Sequence, residues 1–279
     1  MDVVVSVPLV AVAVDGKTLR GTVPRTGGAG VHLLAAFTHR AGTVAAQRLV
    51  PIGTSEIAWF TPLLDCLELT GVVITADALH TVRDHATYLT GRDAHYVFTV
   101  KKNQHRLHAR LAALSWPTIE QHTTEDTGHH RIEHRAIHLR TAPDTPDDLD
   151  FPGVAQVFRI TRDRTDRATG KHETHTWFGV TSLTPEQADP ACIAFLLRGH
   201  WRIENRLHWV RDVTCTEDTS RLRTGNAPRA MASLRNLASS ALRTTGWINI
   251  AQALRHMGPR HHPTTHPARN PCLTSHNRF

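Results

Sequence analysis

Two apolar, β-branched runs that each stop at an aspartate constrain this chain more than anything else in it. Val10 to Val14 ends at Asp15 in AVAVDGKTLRG, and Val72 to Thr75 gives out just before Asp77 in GVVITADALHT. Short apolar runs closed by turn-forming residues read as buried strands, so each run delivers a carboxylate at a strand end. A third carboxylate, Glu204 in HWRIENRLHWVRDV, lies in a helical pattern. Two strand-end aspartates and one helix-borne glutamate can converge on one or two divalent cations, the hard, oxygen-preferring kind such as Mg²⁺. On residue type alone, Asp15 and Asp77 are equally well turn residues, since Asp commonly closes strands. Glu204 is equally well a solvated helix residue paired with His200 and His208.

Length and charge narrow the classes. A chain of 279 residues buries a sizeable core and suits one large domain with an inserted segment. Lys and Arg number 32 against 25 acidic residues, a net charge of +7 that 21 histidines can augment in mild acid. That balance favours a polyanionic partner, although many basic proteins bind no nucleic acid. Cys66, Cys192, Cys215 and Cys272 form no CxxC pair, which speaks against a disulfide framework or a cysteine zinc site and fits a reducing cytoplasm. The opening MDVVVSVPLVAVAV lacks a basic n-region and runs straight into DGKTLRG, so it reads as a strand rather than a signal peptide. No segment approaches the roughly 20 apolar residues of a membrane span.

The order of elements follows from the patterning. Val3 to Leu49 alternates apolar runs with turn clusters, a β-meander whose GTVPRTGGAG loop lacks the spacing of a phosphate loop. Ser55 to Leu69 has helical spacing through Ile57, Phe60, Leu63, Leu64 and Leu67, with Ser55 as N-cap. A strand, a helix to Thr90, a turn at Gly91 and the strand YVFTV ending at Lys101 and Lys102 come next. Three antiparallel strands followed by helix, strand, helix, strand is the order of an RNase H-like core: an α/β fold with a mixed sheet flanked by helices. Residues 118–182 read as an inserted β-rich segment with strands in RIEHRAIHLR, AQVFRITRDR and THTWFGVTSL. The expected division is therefore 1–117 for the first part of the core, 118–182 for the insert, 183–257 for its helical completion with the third carboxylate, and 258–279 for a disordered tail. In the completion, Pro185 to Val213 is helical. A later helix has Asn226 as N-cap, Pro228 in its first turn and Gly246 beyond its end.

With AVDGKTLRGT, ITADALHT, YVFTVKKNQ, RIEHR and HWRIENRLHWVRDVTCTEDTSRLRTGNAPRAMASLRNLA in order over nearly the whole chain, the sequence resembles the DDE-type insertion-sequence transposases, specifically their H-repeat-associated branch. The resemblance implies an RNase H-like catalytic domain, with Asp15, Asp77 and Glu204 as catalytic residues and metal ligands. These would hold two Mg²⁺ ions, replaceable by Mn²⁺, for DNA cleavage and strand transfer at the ends of a mobile element. The partners implied are double-stranded DNA, both element ends and target, and a second copy of the chain on paired ends, in the cytoplasm at the nucleoid.

Related transposases carry Tyr, Arg, Glu and Lys around the third carboxylate, and this chain has Leu197, His200, Glu204 and Arg211 at those positions. On a regular helix His200, Glu204, His208 and Arg211 share a face that meets DNA phosphates. Lys17, Arg20, Lys101, Lys102, Arg202, Arg221 and Arg223 complete the expected DNA contacts, with Arg229 and Arg235 extending a basic stripe. A zinc site built on His200, Glu204 and His208 is the alternative chemistry. The pairs His129–His130 and His261–His262 read as loop residues, and Trp201 and Trp209 as core. The family's separate N-terminal domain is expected to be missing, because Met1 lies so close to Asp15. That makes a shortened copy, or a DNA-binding remnant without activity, the alternative to a working enzyme.

Overall fold

The computed structural model describes residues 9–128, 130–143 and 149–258. The start of the N-terminal run, His129, and the tail with His261, His262 and Cys272 lie outside the described residues. The elements run β1 (Ala11–Thr18), β2 (His32–Thr38), β3 (Val44–Val50), α1 (Ile57–Leu64), β4 (Val73–Ala76), α2 (Arg83–Thr90), β5 (His95–Val100) and α3 (His105–Ala113). Then follow β6 (His122–Gly128), β7 (Arg131–Thr141), β8 (Gln156–Asp166), β9 (His172–Thr181) and α4 (Pro190–His200). Two π-helical stretches, Ile203–His208 and Val210–Thr214, lead to α5 (Ala227–Thr244) and α6 (Ile250–Met257).

The nine strands among the described residues form one sheet in the order β3-β2-β1-β4-β5-β9-β8-β7-β6. The antiparallel β1–β2–β3 meander, with β4 and β5 added parallel to β1, gives the mixed sheet of an RNase H-like core. The β-rich segment continues that sheet through β9 on β5, and it contributes four strands, not three. Strand β6, HTTEDTG, escapes sequence reading because it has no apolar residue to mark a buried face. Helix α3 also goes unread; its only buried residues are Leu107 and Leu111, one turn apart.

The alternation of side chains along β1 and β4 decides what reaches the site. Val12, Val14, Ile74 and Ala76 face one layer, where Phe60, Leu63 and Leu64 of α1, Ala86 and Leu89 of α2, and Leu111 of α3 form the larger core. Ala11, Ala13 and Val73 face the other layer, where Ile193 and Leu196 of α4 and then Ile203 and Leu207 of the π-helical stretch pack. The apolar residues facing this second layer on β1 are alanines, and Ala13 and Ala35 are almost fully buried. Small side chains there let the helix backbone come close to the sheet.

Helix starts depart from expectation in detail. The hydroxyl of Ser55 does accept the Ile57 N–H at 3.3 Å. The helix expected from Pro185 begins only at Pro190, where Asp189 accepts the Cys192 N–H at 2.7 Å. Asn226 stands at the start of α5 with helical backbone angles and makes no side-chain cap, while Gly246 ends that region at φ +93°. Trp201 and Trp209 are 64% and 54% exposed, which corrects their expected place in the core. Ile203, Leu207 and Val210 supply the buried face of this stretch and leave the tryptophans on the opposite side.

Candidate metal centre

Asp15 and Asp77 come together through strand register. β1 and β4 are parallel and Val14 pairs with Ala76, so Asp15 and Asp77 each follow the last paired residue of neighbouring strands. Both aspartates follow the odd-numbered series that faces α4 and the π-helical stretch. From that layer Glu204 and His208 reach the end of β1. One ligand atom from each of Asp15, Glu204 and His208 lies within 4.8 Å of the others. His208 Nδ1 is 3.5 Å from Asp15 Oδ2 and 3.4 Å from Glu204 Oε2. Asp77 Oδ1 accepts the Leu79 N–H at 2.9 Å, which fixes the loop after β4.

The electrostatics of the cluster call for a cation. Burial, then the negative charges of Glu204 and Asp77, pushes the Asp15 carboxyl up to about 8. The Glu204 carboxyl is held below its ordinary value, chiefly by its hydrogen bond with His208. A carboxyl raised by burial and by neighbouring negative charge is what a divalent cation relieves, so Asp15, Glu204 and His208, with Asp77 nearby, are residues that fit a metal ion.

The layer beneath is neutral and polar. His39 Nε2 lies 2.9 Å from the Thr75 hydroxyl, which in turn lies 3.3 Å from His200 Nδ1. Burial lowers the pKa of both histidines to about 4, helped at His39 by the charges of His200 and Arg202. Gly199 is required where α4 crosses His39: a Cβ there would come within 2.1 Å of His39 Nδ1. Across the sheet, Glu56 of the loop before α1 crowds Gly16, with Oε2 2.3 Å from where a Cβ would be. Glu56 accepts from His32 Nε2 at 2.7 Å and lies 3.3 Å from His80 Nε2, three residues past Asp77. Glu56 therefore ties the β1 and β4 ends together. Sequence reading passed over it because nothing local distinguishes this glutamate from a surface residue.

The expected DNA contacts divide sharply. Lys17 is turned to Asp212, Nζ to Oδ2 2.5 Å, with its side chain 10% exposed. Arg211 is almost fully buried against Glu217, with Nη2 to Oε2 2.7 Å and Nε to Oε2 2.8 Å. His200 points inward to Thr75. These three are internal, which corrects the expectation that they meet phosphate. The α-helical spacing that placed His200, Glu204, His208 and Arg211 on one face does not hold through π-helical turns, which take in an extra residue. The zinc grouping of His200, Glu204 and His208 fails for the same reason, and Asp15 stands where His200 was expected.

Arg20, Lys101, Lys102, Arg221 and Arg223 are exposed. Arg223 Nε donates to Gly21 O at 2.8 Å and Arg20 lies 3.7 Å from Asp218, so distant segments gather beyond the end of β1. Lys101 and Lys102 sit beyond the end of β5, where Asn103 Nδ2 donates to Ala78 O in the Asp77 loop at 2.7 Å. Arg202 donates to His39 O at 3.2 Å and lies over the Phe195 ring. Arg229 is exposed, whereas Arg235 pairs with Glu217 at 3.1 Å.

Residues 8–240 match the family described as Transposase DDE domain, and the chain belongs to that family. It is 30% identical to the protein YbfL of Escherichia coli K12 over 83% of this chain and 63% of that one. It is likewise 30% identical to YncI of Escherichia coli O157:H7 over 83% and 61%, and 29% identical to the H repeat-associated protein YhhI of Escherichia coli K12 over 83% and 63%. The chain thus spans about three-fifths of the length of these relatives. A piggyBac transposase synaptic complex with hairpin DNA aligns with it at a TM-score of 0.44 and 11% identity, over 86% of this chain and 46% of that one. Among the described residues no helix is long and apolar enough to cross a membrane.

Proposed function

We propose that this chain carries the catalytic centre of an insertion-sequence transposase that cleaves DNA phosphodiesters and joins the ends to target DNA. The observation that supports this reading is the grouping of Asp15 with Glu204 at the end of β1, from distant points of the sequence, with the charge of Asp77 close enough to act on Asp15. When bound, divalent cations such as Mg²⁺ or Mn²⁺ stabilise both the attacking and the leaving oxygen of an in-line displacement. The chain's own residues do the rest. Asp15 and Glu204 supply paired carboxylates, Leu79 N–H and the Glu56 bridge hold the loops, and Arg20, Arg221 and Arg223 on one side with Lys101 and Lys102 on the other take the DNA backbone. A duplex lying across the C-terminal ends of β1, β4 and β5 meets both basic groups. Paired element ends favour a homodimer, and such a substrate places the protein at the bacterial nucleoid.

Supercoiled plasmid incubated with the chain and Mg²⁺, Mn²⁺ or EDTA tests the reading. Nicking that requires metal and vanishes in both Asp77→Asn and Glu204→Gln is expected. Salt-sensitive DNA binding without nicking by folded wild type would instead establish a binding remnant.

A further inference from the structure

We infer that His208 is a direct ligand of the cation, so that the centre is a mixed oxygen and nitrogen site that prefers Mn²⁺ to Mg²⁺ beyond the ordinary difference between these ions. This rests on the metal-centre reading above and deepens it.

The distances carry the inference. A charge-assisted N–H···O bond from a histidine to a carboxylate closes to roughly 2.7–2.9 Å. His208 Nδ1 instead stands almost equidistant from two carboxylates, 3.5 Å from Asp15 and 3.4 Å from Glu204, the second contact a long hydrogen bond. Neighbouring ligand atoms around one small divalent ion, each about 2.1–2.2 Å from it, lie roughly 3 Å apart. Three atoms within 4.8 Å, from three residues, surround a point rather than form a pair. The imidazole is fixed there, because its side chain is 6% exposed and Leu207 beside it is locked against Ala13 and Phe37. Its Nε2 is buried and has no hydrogen-bond partner among the described residues. The π-helical turns explain why the sequence pattern missed this set: they swing His208 toward Asp15 while His200 stays with Thr75.

Imidazole nitrogen is accepted by Mn²⁺ and poorly by Mg²⁺, which keeps to oxygen. An all-carboxylate centre therefore shows only the modest Mn²⁺ preference of oxygen ligands, and adding one nitrogen enlarges it.

Electron spin-echo modulation of Mn²⁺ bound to the full chain reads the proposal directly. Coupling to ¹⁴N is expected in wild type and is expected to disappear in His208→Gln. Calorimetry is expected to show Mn²⁺ affinity falling about tenfold or more in His208→Gln and His208→Ala, with the Mg²⁺ affinity falling less. Mn²⁺ that binds in an Asp15-dependent manner without ¹⁴N coupling, or coupling that persists in His208→Gln, overturns the ligand assignment and leaves the carboxylate centre standing. Mn²⁺ binding that is absent, or indifferent to Asp15→Asn and Asp77→Asn, overturns both. Mn²⁺ bound to wild type without ¹⁴N coupling overturns the assignment even if the variants misfold.

Discussion

The two halves of the single sheet are built on different terms. From β2 to β5 the strands are mostly buried, and the central ones, β1 and β4, are buried throughout their apolar runs. From β9 to β6 the strands are long, antiparallel and polar, and β8 is buried only over its first three residues. In the first half the chain is held by packing, and its strand ends can carry uncompensated acids. In the second half it is held by ladder hydrogen bonds and cross-strand pairs such as Arg135 with Asp126 and His172 with Asp163. A catalytic centre needs the first kind of support, because carboxylates pressed together must be opposed by a rigid surround.

Substitutions should expose that difference, most strongly at Arg211. Removing it in Arg211→Ala leaves Glu217, 2% exposed, with Arg235 as its remaining cation. A loss of about 3–5 kcal/mol in urea unfolding is expected for a broken buried pair. A loss under about 1 kcal/mol would place this network with the solvated pairs. Ala13→Leu is expected to cost about 1–3 kcal/mol through overpacking against Ile203 and Leu207. It should also weaken metal binding by lifting Glu204 and His208 from Asp15, a link that calorimetry of the variant checks.

Acid separates the halves in a different way. His39 and His200, each lowered to about 4 by burial, contribute stability that is fully present above pH 6.5 and is lost as pH falls toward 4. Glu56 is pushed up by burial, but its hydrogen bonds with His32 and His80 outweigh this and hold it at about 2. Its contribution is present above pH 4.5 and is lost as pH falls toward 2. Both groups lie in the β1–β5 half. Hydrogen exchange at falling pH should therefore show β1 and β4 amides losing protection before those of β7 and β8; the reverse order would refute the assignment.

The smallest effect is expected in the polar wing. Arg135 is 30% exposed, pairs with Asp126 at 2.7 Å and also touches Glu133. Arg135→Ala should cost no more than about 1 kcal/mol, less in high salt, with DNA cleavage unchanged.

Much of the first half was legible because its physics is local. A β-branched run buried on both faces must be apolar at every position, so β1, β4 and β5 stand out, and the residue ending each run is marked as well. Strand β6 and helix α3 were not legible, since an edge strand of Thr, Glu and Asp and a helix with two buried leucines carry almost no periodic signal. Lys17 and Arg211 look like solvent-facing cations until Asp212 and Glu217 are placed beside them.

The sequence by itself determined the order of the core elements and the family, and it marked three carboxylates as candidates, because strand ends and helix patterns are set within a few residues. Only the tertiary structure decided who shares the site. Strand register set Asp15 beside Asp77, the side-chain parity of β1 aimed Asp15 at the helical layer, and π-helical turns exchanged His200 for His208. Each of these is a relation between segments far apart in the chain, fixed by packing across the sheet, and no local pattern of residues encodes it.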